Sequence, residues 1–231
     1  KVTGVQTCAL PIFKSGTEMP TRWSYSVRIG DIRVFLCDFV GETESYFLCP
    51  GGEKMEFKAY IMDSAAVNRA LARISHEIIE RNGDADEICL VGIMRRGAPL
   101  ADILASRIES LGVKTQKGYL DITLYRDDLS ESSNQPKVNS GKLDFSVEGK
   151  TVVMVDDVLY TGRTARAAMD AIISLGRPAK IQFATLVDRG HRELPIVADY
   201  VGKNVPTSRS EVVVVKIPPF DDETSVSIYG K

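Results

Sequence analysis

Cysteine, histidine and tryptophan are scarce in this 231-residue chain, which has four Cys, two His and one Trp. Three of the cysteines, Cys8, Cys37 and Cys49, precede residue 50, so the body of the chain keeps only Cys89. One thiol excludes a disulfide framework and a cysteine zinc site in that body. Cys89 lies in the apolar run Ile88–Gly92 and reads as a reduced core thiol. His76 and His191 are far apart in sequence and show no metal-ligand spacing. Long apolar runs are missing too, so nothing has the length of a bilayer-spanning segment, and Cys8–Phe13 is too short and poorly flanked for a signal peptide. Charge of one sign is also lacking: 29 Lys+Arg face 31 Asp+Glu, for a net charge of −2. That balance excludes bulk attraction to nucleic acid, so any RNA surface has to be a local basic patch. The expectation is a soluble cytoplasmic protein with an ordinary apolar core.

The first fifty-odd residues differ from the rest. Val2–Ile12 (VTGVQTCALPI) can be back-translated into the read-through of a common sequencing adapter. Gly51–Met55 (GGEKM) can be written as a bacterial ribosome-binding site followed by a start codon. Residues 1–54 are therefore expected to be a non-native, disordered leader, with the functional domain at 55–231. The competing reading is a short accessory β segment, because Tyr25–Val40 alternates in part between polar and apolar residues. Six of the 29 basic and six of the 31 acidic residues precede Met55, leaving 23 against 25. The remaining 177 residues (231 less 54) suffice for one domain with a sizeable core.

Downstream of Met55 the hydrophobic periodicity alternates between helix and strand. Asp63 is a good N-cap for a helix running to about Asn82, with Val67, Leu71, Ile74 and Ile78 on its buried face and Gly83 as its stop. Ile88–Gly92 is expected as a buried strand, Met94–Gly97 as a tight loop, Ala98–Leu111 as a helix and Gly118–Tyr125 as a strand. Arg126–Gly149 is polar and is expected to be a mobile loop or arm. Strands at Thr151–Val155, Lys180–Val187 and Glu211–Ile217 and a helix at Thr164–Leu175 complete the pattern. Such alternation implies βαβ units and a mostly parallel sheet. Ligands bind beyond the carboxyl ends of such strands. The loops at 94–97, 126–149, 156–164 and 188–192 are thus expected to meet at one edge.

The most telling string is TVVMVDDVLYTGRT at 151–164. An apolar run leads into Asp156 and Asp157, and a short loop with Thr161 and Gly162 leads into a helix. A helix N-terminus with its loop amides can hold a phosphate, and paired carboxylates can accept hydrogen bonds from ribose hydroxyls. Taken alone, adjacent acids at such a junction also serve as helix caps.

The string resembles the phosphoribosyl pyrophosphate (PRPP) signature of type I phosphoribosyltransferases. DITLYRDDL at 121–129, LVDRGHRELPI at 186–196 and YVGKNVPTS at 200–208 resemble one subgroup, the bifunctional pyrimidine operon attenuation regulator/uracil phosphoribosyltransferase (PyrR) family. The match runs from about Lys58 to about Tyr229. The resemblance implies an α/β fold with a mostly parallel central sheet flanked by helices and a flexible loop closing over the site. It implies that Asp156 and Asp157 hold the ribose hydroxyls and face the magnesium shell. Val158, Leu159, Tyr160, Thr161, Gly162, Arg163 and Thr164 would bind PRPP, chiefly its 5′-phosphate. Arg95, Arg96 and Gly97 would contact the diphosphate, with Arg96 favoured because it adjoins the glycine; two ordinary surface arginines is the competing reading. Arg126 would place a second cation on the diphosphate as the 121–149 segment closes and excludes water. Magnesium would be bound through PRPP, near Asp156 and Asp157.

Purine phosphoribosyltransferases carry an Asp just before the Thr-Gly of the signature, where this chain has Tyr160. A phenol with a pKa of about 10 exchanges protons poorly at neutral pH, which speaks for a pyrimidine base. Uracil contacts are implied at Val187, Asp188 and Arg189, largely through the backbone. The family also binds the leader of pyrimidine operon messenger RNA, favoured by UMP and related pyrimidine nucleotides such as UTP. Arg69, Arg73 and His76 fall on one helical face. Arg73, His76, Arg81, Arg192 and Lys203 are the candidate RNA contacts; a solvated charged face explains the helix residues equally well. A homodimer or larger homo-oligomer is implied. The alternatives are a regulator that uses the PRPP fold as a nucleotide sensor with negligible catalysis, or another type I phosphoribosyltransferase.

Overall fold

The computed structural model describes residues 24–29, 32–37, 46–48, 54–122 and 143–230, the first three segments as backbone only. Arg126, with most of the expected 126–149 loop, lies outside the described residues, as does most of the expected 1–54 leader. Within that leader region, β1 (Ser24–Ile29) and β2 (Ile32–Cys37) pair as an antiparallel hairpin. β3 (Tyr46–Leu48) pairs with the start of β4 (Lys54–Met62).

The central layer is a five-stranded sheet in the order β6-β5-β7-β8-β9, with every neighbour parallel. Its strands are β5 (Ile88–Ile93), β6 (Thr115–Leu120), β7 (Thr151–Leu159), β8 (Lys180–Asp188) and β9 (Tyr200–Asn204). β5 is buried at all six positions, as expected of a central strand covered on both faces. α1 (Ser64–Arg81) and α2 (Gly97–Ser110) pack on one face, where Leu71, Ile74, Leu104 and Ile108 meet Val153, Val155 and Leu186. α3 (Arg163–Leu175) covers the other face, where Ala168 and Ile172 meet Val152, Met154 and Phe183. The start of α1 forms as expected: Asp63 Oδ1 accepts the Ala66 N–H at 2.7 Å, satisfying one of the donors orphaned at a helix start.

Three expectations need correction. The strand carrying the acids does not stop at Val155 but runs to Leu159, so Asp156 and Asp157 are strand residues paired alongside β8. β6 spans 115–120 rather than 118–125, because its pairing with β5 starts at Thr115 opposite Ile88. The strand at 211–217 is not in the parallel sheet. It is β10 (Glu211–Lys216), which joins β11 (Ser225–Gly230), β4 and β3 in an antiparallel sheet ordered β10-β11-β4-β3. That sheet shares the apolar core of α1 and α2 through Met62, Val213, Val215 and Val226.

The topology creates one crevice. The chain leaves β5 through α2 to one side, reaching β6, and leaves β7 through α3 to the other, reaching β8. The carboxyl ends of β5 and β7 therefore flank the switch point of the sheet, where ligands of open α/β folds bind. Gly97 shows how tightly the first turn of α2 is seated there. A Cβ on Gly97 would stand 2.3 Å from the Val155 carbonyl oxygen. Gly97→Ala is expected to lower stability by about 1–3 kcal/mol, read as a lower denaturant midpoint at unchanged m-value. A midpoint equal to that of the parent chain would contradict the close approach.

Candidate active site

β7 supplies the centre of the site. Val153 and Val155 belong to the α1/α2 side of the core and Val152 and Met154 to the α3 side. Strand alternation thus sends Asp156 toward α3 and Asp157 toward α2. Asp156 Oδ1 accepts the Asp157 N–H at 2.9 Å, and Asp157 Oδ1 accepts the Val158 N–H at 2.9 Å. Burial pushes the Asp157 carboxyl above the usual carboxylate range, and the charge of Arg96, followed by hydrogen bonds, opposes that rise.

The start of α3 forms the second part. Gly162, at φ 91°, is the N-cap residue and brings no side-chain cap. This left-handed conformation suits glycine, and the first amides of the helix have no intrahelical acceptor. Thr161 O accepts the N–H groups of Glu193 and Leu194 at 3.0 and 3.1 Å, fixing the loop against the 188–196 segment. Arg163 Nε donates to Glu193 Oε2 at 2.7 Å across the same junction.

The third part is the loop after β5. Arg96 makes a bidentate contact with Asp221, donating through Nε and Nη2 at 3.2 Å each. Arg95 beside it is exposed. The loop thus presents one arginine to solvent and one held in place.

The fourth part follows β8, and here two expected contact residues turn inward. The Arg189 guanidinium lies 4.1 Å from the centre of the Tyr160 ring. It also donates to Thr207 Oγ1 and to the carbonyls of Ser208 and Glu211. Arg189 is only 6% exposed, and its backbone N–H is taken by Leu159 O. It therefore braces Tyr160 and the 207–211 segment rather than presenting its charge to solvent. Arg192 was expected on the RNA surface. Its guanidinium instead donates to the carbonyls of Tyr160, Gly190 and Ile196 and to the carboxylate of Asp188. His191 sits edge-on to Tyr160 with centroids 6.1 Å apart. The Val187 side chain lies in the core, and its carbonyl accepts the Thr185 hydroxyl.

The structure brings Asp156, Asp157, residues 158–164, Arg96, Gly97, Asp188 and Arg189 to the carboxyl ends of β5, β7 and β8. It leaves Arg73, His76, Arg81 and Lys203 apart from them, on α1 and β9. Arg73 Nη2 donates to the carbonyls of Val201 and Gly202, and Lys203 Nζ to Ile61 O. Arg81 pairs with Asp199 at 2.9 Å. Sequence reasoning missed Glu193, Thr207 and Asp221, which orient the arginines from 18 or more residues away. No local motif marks such partners. Among the described residues no group of three or more His, Cys, Asp or Glu could hold a metal ion by itself. The two neighbouring carboxylates Asp156 and Asp157 fit a divalent cation that would take most of its oxygens from a bound ligand.

Comparison with known proteins agrees with this geometry. Residues 60–218 match the phosphoribosyl transferase domain. The chain belongs to the phosphoribosyltransferase family. Within it, the chain is 56% identical over 178 residues to the "Bifunctional protein PyrR" of Clostridium novyi, covering 77% of this chain and 100% of the relative. It is 59% identical over 172 residues to the protein of the same name in Clostridioides difficile, covering 74% and 97%. These identities place this phosphoribosyltransferase in the PyrR branch. The fold is that of solved phosphoribosyltransferases. A hypoxanthine-guanine phosphoribosyltransferase of Bacillus anthracis superposes with TM-score 0.57 at 18% identity, covering 74% of this chain and 98% of that one. A hypoxanthine phosphoribosyltransferase of Trypanosoma cruzi gives 0.59 at 15% identity, covering 74% and 96%.

The raised Asp157 carboxyl has a consequence for stability. The folded state holds its proton more tightly than the unfolded chain does, so ionisation of Asp157 works against folding above the ordinary carboxylate range. Asp157→Asn is expected to raise Tm at pH 7, with the gain fading as pH falls through the ordinary carboxylate range. The same change is expected to cut turnover by a factor on the order of 10² or more. A lowered Tm at pH 7 with turnover intact would contradict both roles.

Proposed function

We propose that the chain transfers the phosphoribosyl group of PRPP to uracil, giving UMP and diphosphate, and that it binds pyrimidine operon leader RNA in response to UMP. The observation that carries the catalytic reading is the meeting of three parts at the sheet's switch point. They are the paired acids near the end of β7, the N-terminus of α3 and the arginine loop after β5.

The reaction breaks the bond between the anomeric carbon and the diphosphate oxygen, and positive charge develops on the ribose. The α3 amides with Thr161 and Thr164 hold the 5′-phosphate. Asp156 and Asp157 accept the ribose hydroxyls and stabilise the developing charge. Arg95 and Arg96 take up the negative charge that accumulates on the diphosphate. Asp156 and Asp157 would face a magnesium ion brought in with PRPP, which would supply neutralising charge to the diphosphate. Arg126, outside the described residues, would add a further cation to the diphosphate. Tyr160, braced by Arg189, stands where purine enzymes keep their Asp, and a phenol exchanges protons poorly at neutral pH, which favours a pyrimidine base. Backbone groups of Val187, Asp188 and Arg189 lie at that end.

The RNA reading rests on the α1–β9 surface. Arg69, Arg73 and His76 are exposed along α1, and Arg73 and Lys203 lie where α1 and β4 meet the edge strand β9. Arg192 serves this surface indirectly, by fixing the 188–196 segment. A homo-oligomer would extend the surface. The working domain is residues 55–231, within which the family match falls.

Diphosphate release with magnesium and PRPP tests the enzyme directly, with uracil, orotate and hypoxanthine compared. Release with uracil alone is expected. Release with hypoxanthine or orotate at a comparable rate would contradict the base assignment. Silence with all three in a chain that binds UMP would point to a nucleotide sensor. For RNA, replacing Arg73 and Lys203 with Ala is expected to reduce the slope of log K against log salt by about 0.7–0.9 for each lost phosphate contact. An unchanged slope would remove the patch from the interface.

A further inference from the structure

We propose that Asp221 is a positioning residue for the diphosphate end of the site: it holds Arg96 by one edge so that the other edge of the guanidinium meets the leaving group. The proposal rests on the assignment of residues 94–97 to the diphosphate. Asp221 follows β10 and belongs to the antiparallel part of the molecule, 125 residues from Arg96 in sequence. Its side chain is 7% exposed, and that of Arg96 is 27% exposed. The Asp221 carboxylate is itself anchored, because Oδ2 accepts the Ile217 N–H at 3.0 Å and the Asp221 N–H donates to Ile217 O at 3.1 Å. An anchored acceptor fixes a guanidinium better than a mobile one, since less side-chain freedom is left to lose when the second ligand arrives.

The contact uses the Nε and Nη2 donors of Arg96, one complete edge of the fork. Nη1 takes no part in that contact. The backbone of Arg96 is held independently, because the following Gly97 is pressed against the Val155 carbonyl of β7. Head and root of the side chain are thus fixed by different sheets, and Asp157 is the neighbouring acid. Without Asp221, Arg96 would be free to fold onto Asp157. There it would neutralise a group the ribose needs and withdraw a donor from the diphosphate. The antiparallel sheet therefore contributes to catalysis through the loop after β5, although it supplies none of the signature residues.

The test compares the full chain with Asp221→Asn, Asp221→Glu and Arg96→Ala. It measures binding of magnesium diphosphate and of UMP by calorimetry, alongside KM for PRPP, kcat and Tm. UMP carries the ribose and 5′-phosphate but no diphosphate, so it reports on general integrity. Asp221→Asn is expected to weaken diphosphate binding and raise KM for PRPP about tenfold, the size of one charged hydrogen bond. UMP affinity is expected to stay within about twofold. Asp221→Glu, which keeps the carboxylate, is expected to retain part of the diphosphate affinity. Equal losses for diphosphate and UMP, or an unchanged diphosphate affinity in Asp221→Asn, would overturn the positioning role. Arg96→Ala is expected to lose diphosphate affinity at least as far. Full affinity in that variant would overturn the loop assignment itself, a failure distinct from that of Asp221.

Discussion

The constraint on which the site depends is the placement of two carboxylates near the end of the central strand of the sheet. β7 is flanked by β5 and β8 and covered by helices on both faces, so a charge near its end is costly unless something answers it. Asp157 shows that cost as a raised carboxyl, and the Arg96 charge opposes it. Ribose hydroxyls and a cation-bearing diphosphate would supply more of the missing partners. In the proposed complex the ligand would add to the partners these carboxylates already have, as a binding site trades stability for function.

Around this centre the arginines divide into those that reach outward and those that act as braces. Arg189 and Arg192 look like ligand or RNA contacts in sequence, yet their guanidinium groups hold carbonyls of the 159–160 and 207–211 segments. They fix loops whose own backbones have few regular partners, and they do so with a rigid, multiply donating fork. Arg163 does the same work more weakly, through an exposed pair with Glu193. The rigidity of the loop at 160–162 is therefore shared with the 188–196 segment that braces it.

Much of this was legible in the sequence, for identifiable reasons. Helices and parallel strands with strong periodicity, such as α1 and β5, announced themselves, as did the Asp63 cap. The signature string carried its chemistry in adjacent residues, so its location at the switch point followed from the alternation of elements. The antiparallel sheet was not legible. β4 and β11 lie far apart in the chain, and their pairing across that distance has no local signal. β7 was cut short because charged residues argue against a buried strand, and only the sheet context overrides that. The bracing partners Asp221, Glu193 and Thr207 left no trace because side-chain pairing across tens of residues has no local pattern.

The central claim is that one edge of the five-stranded sheet holds a single PRPP molecule across its switch point. A crystal structure of the chain with PRPP and magnesium tests this most directly. The account requires the 5′-phosphate on the amides of residues 161–164, the ribose hydroxyls on Asp156 and Asp157, and the diphosphate over the loop at 94–97. Density for PRPP at any other edge of the sheet, or a ribose turned away from both aspartates, would contradict it.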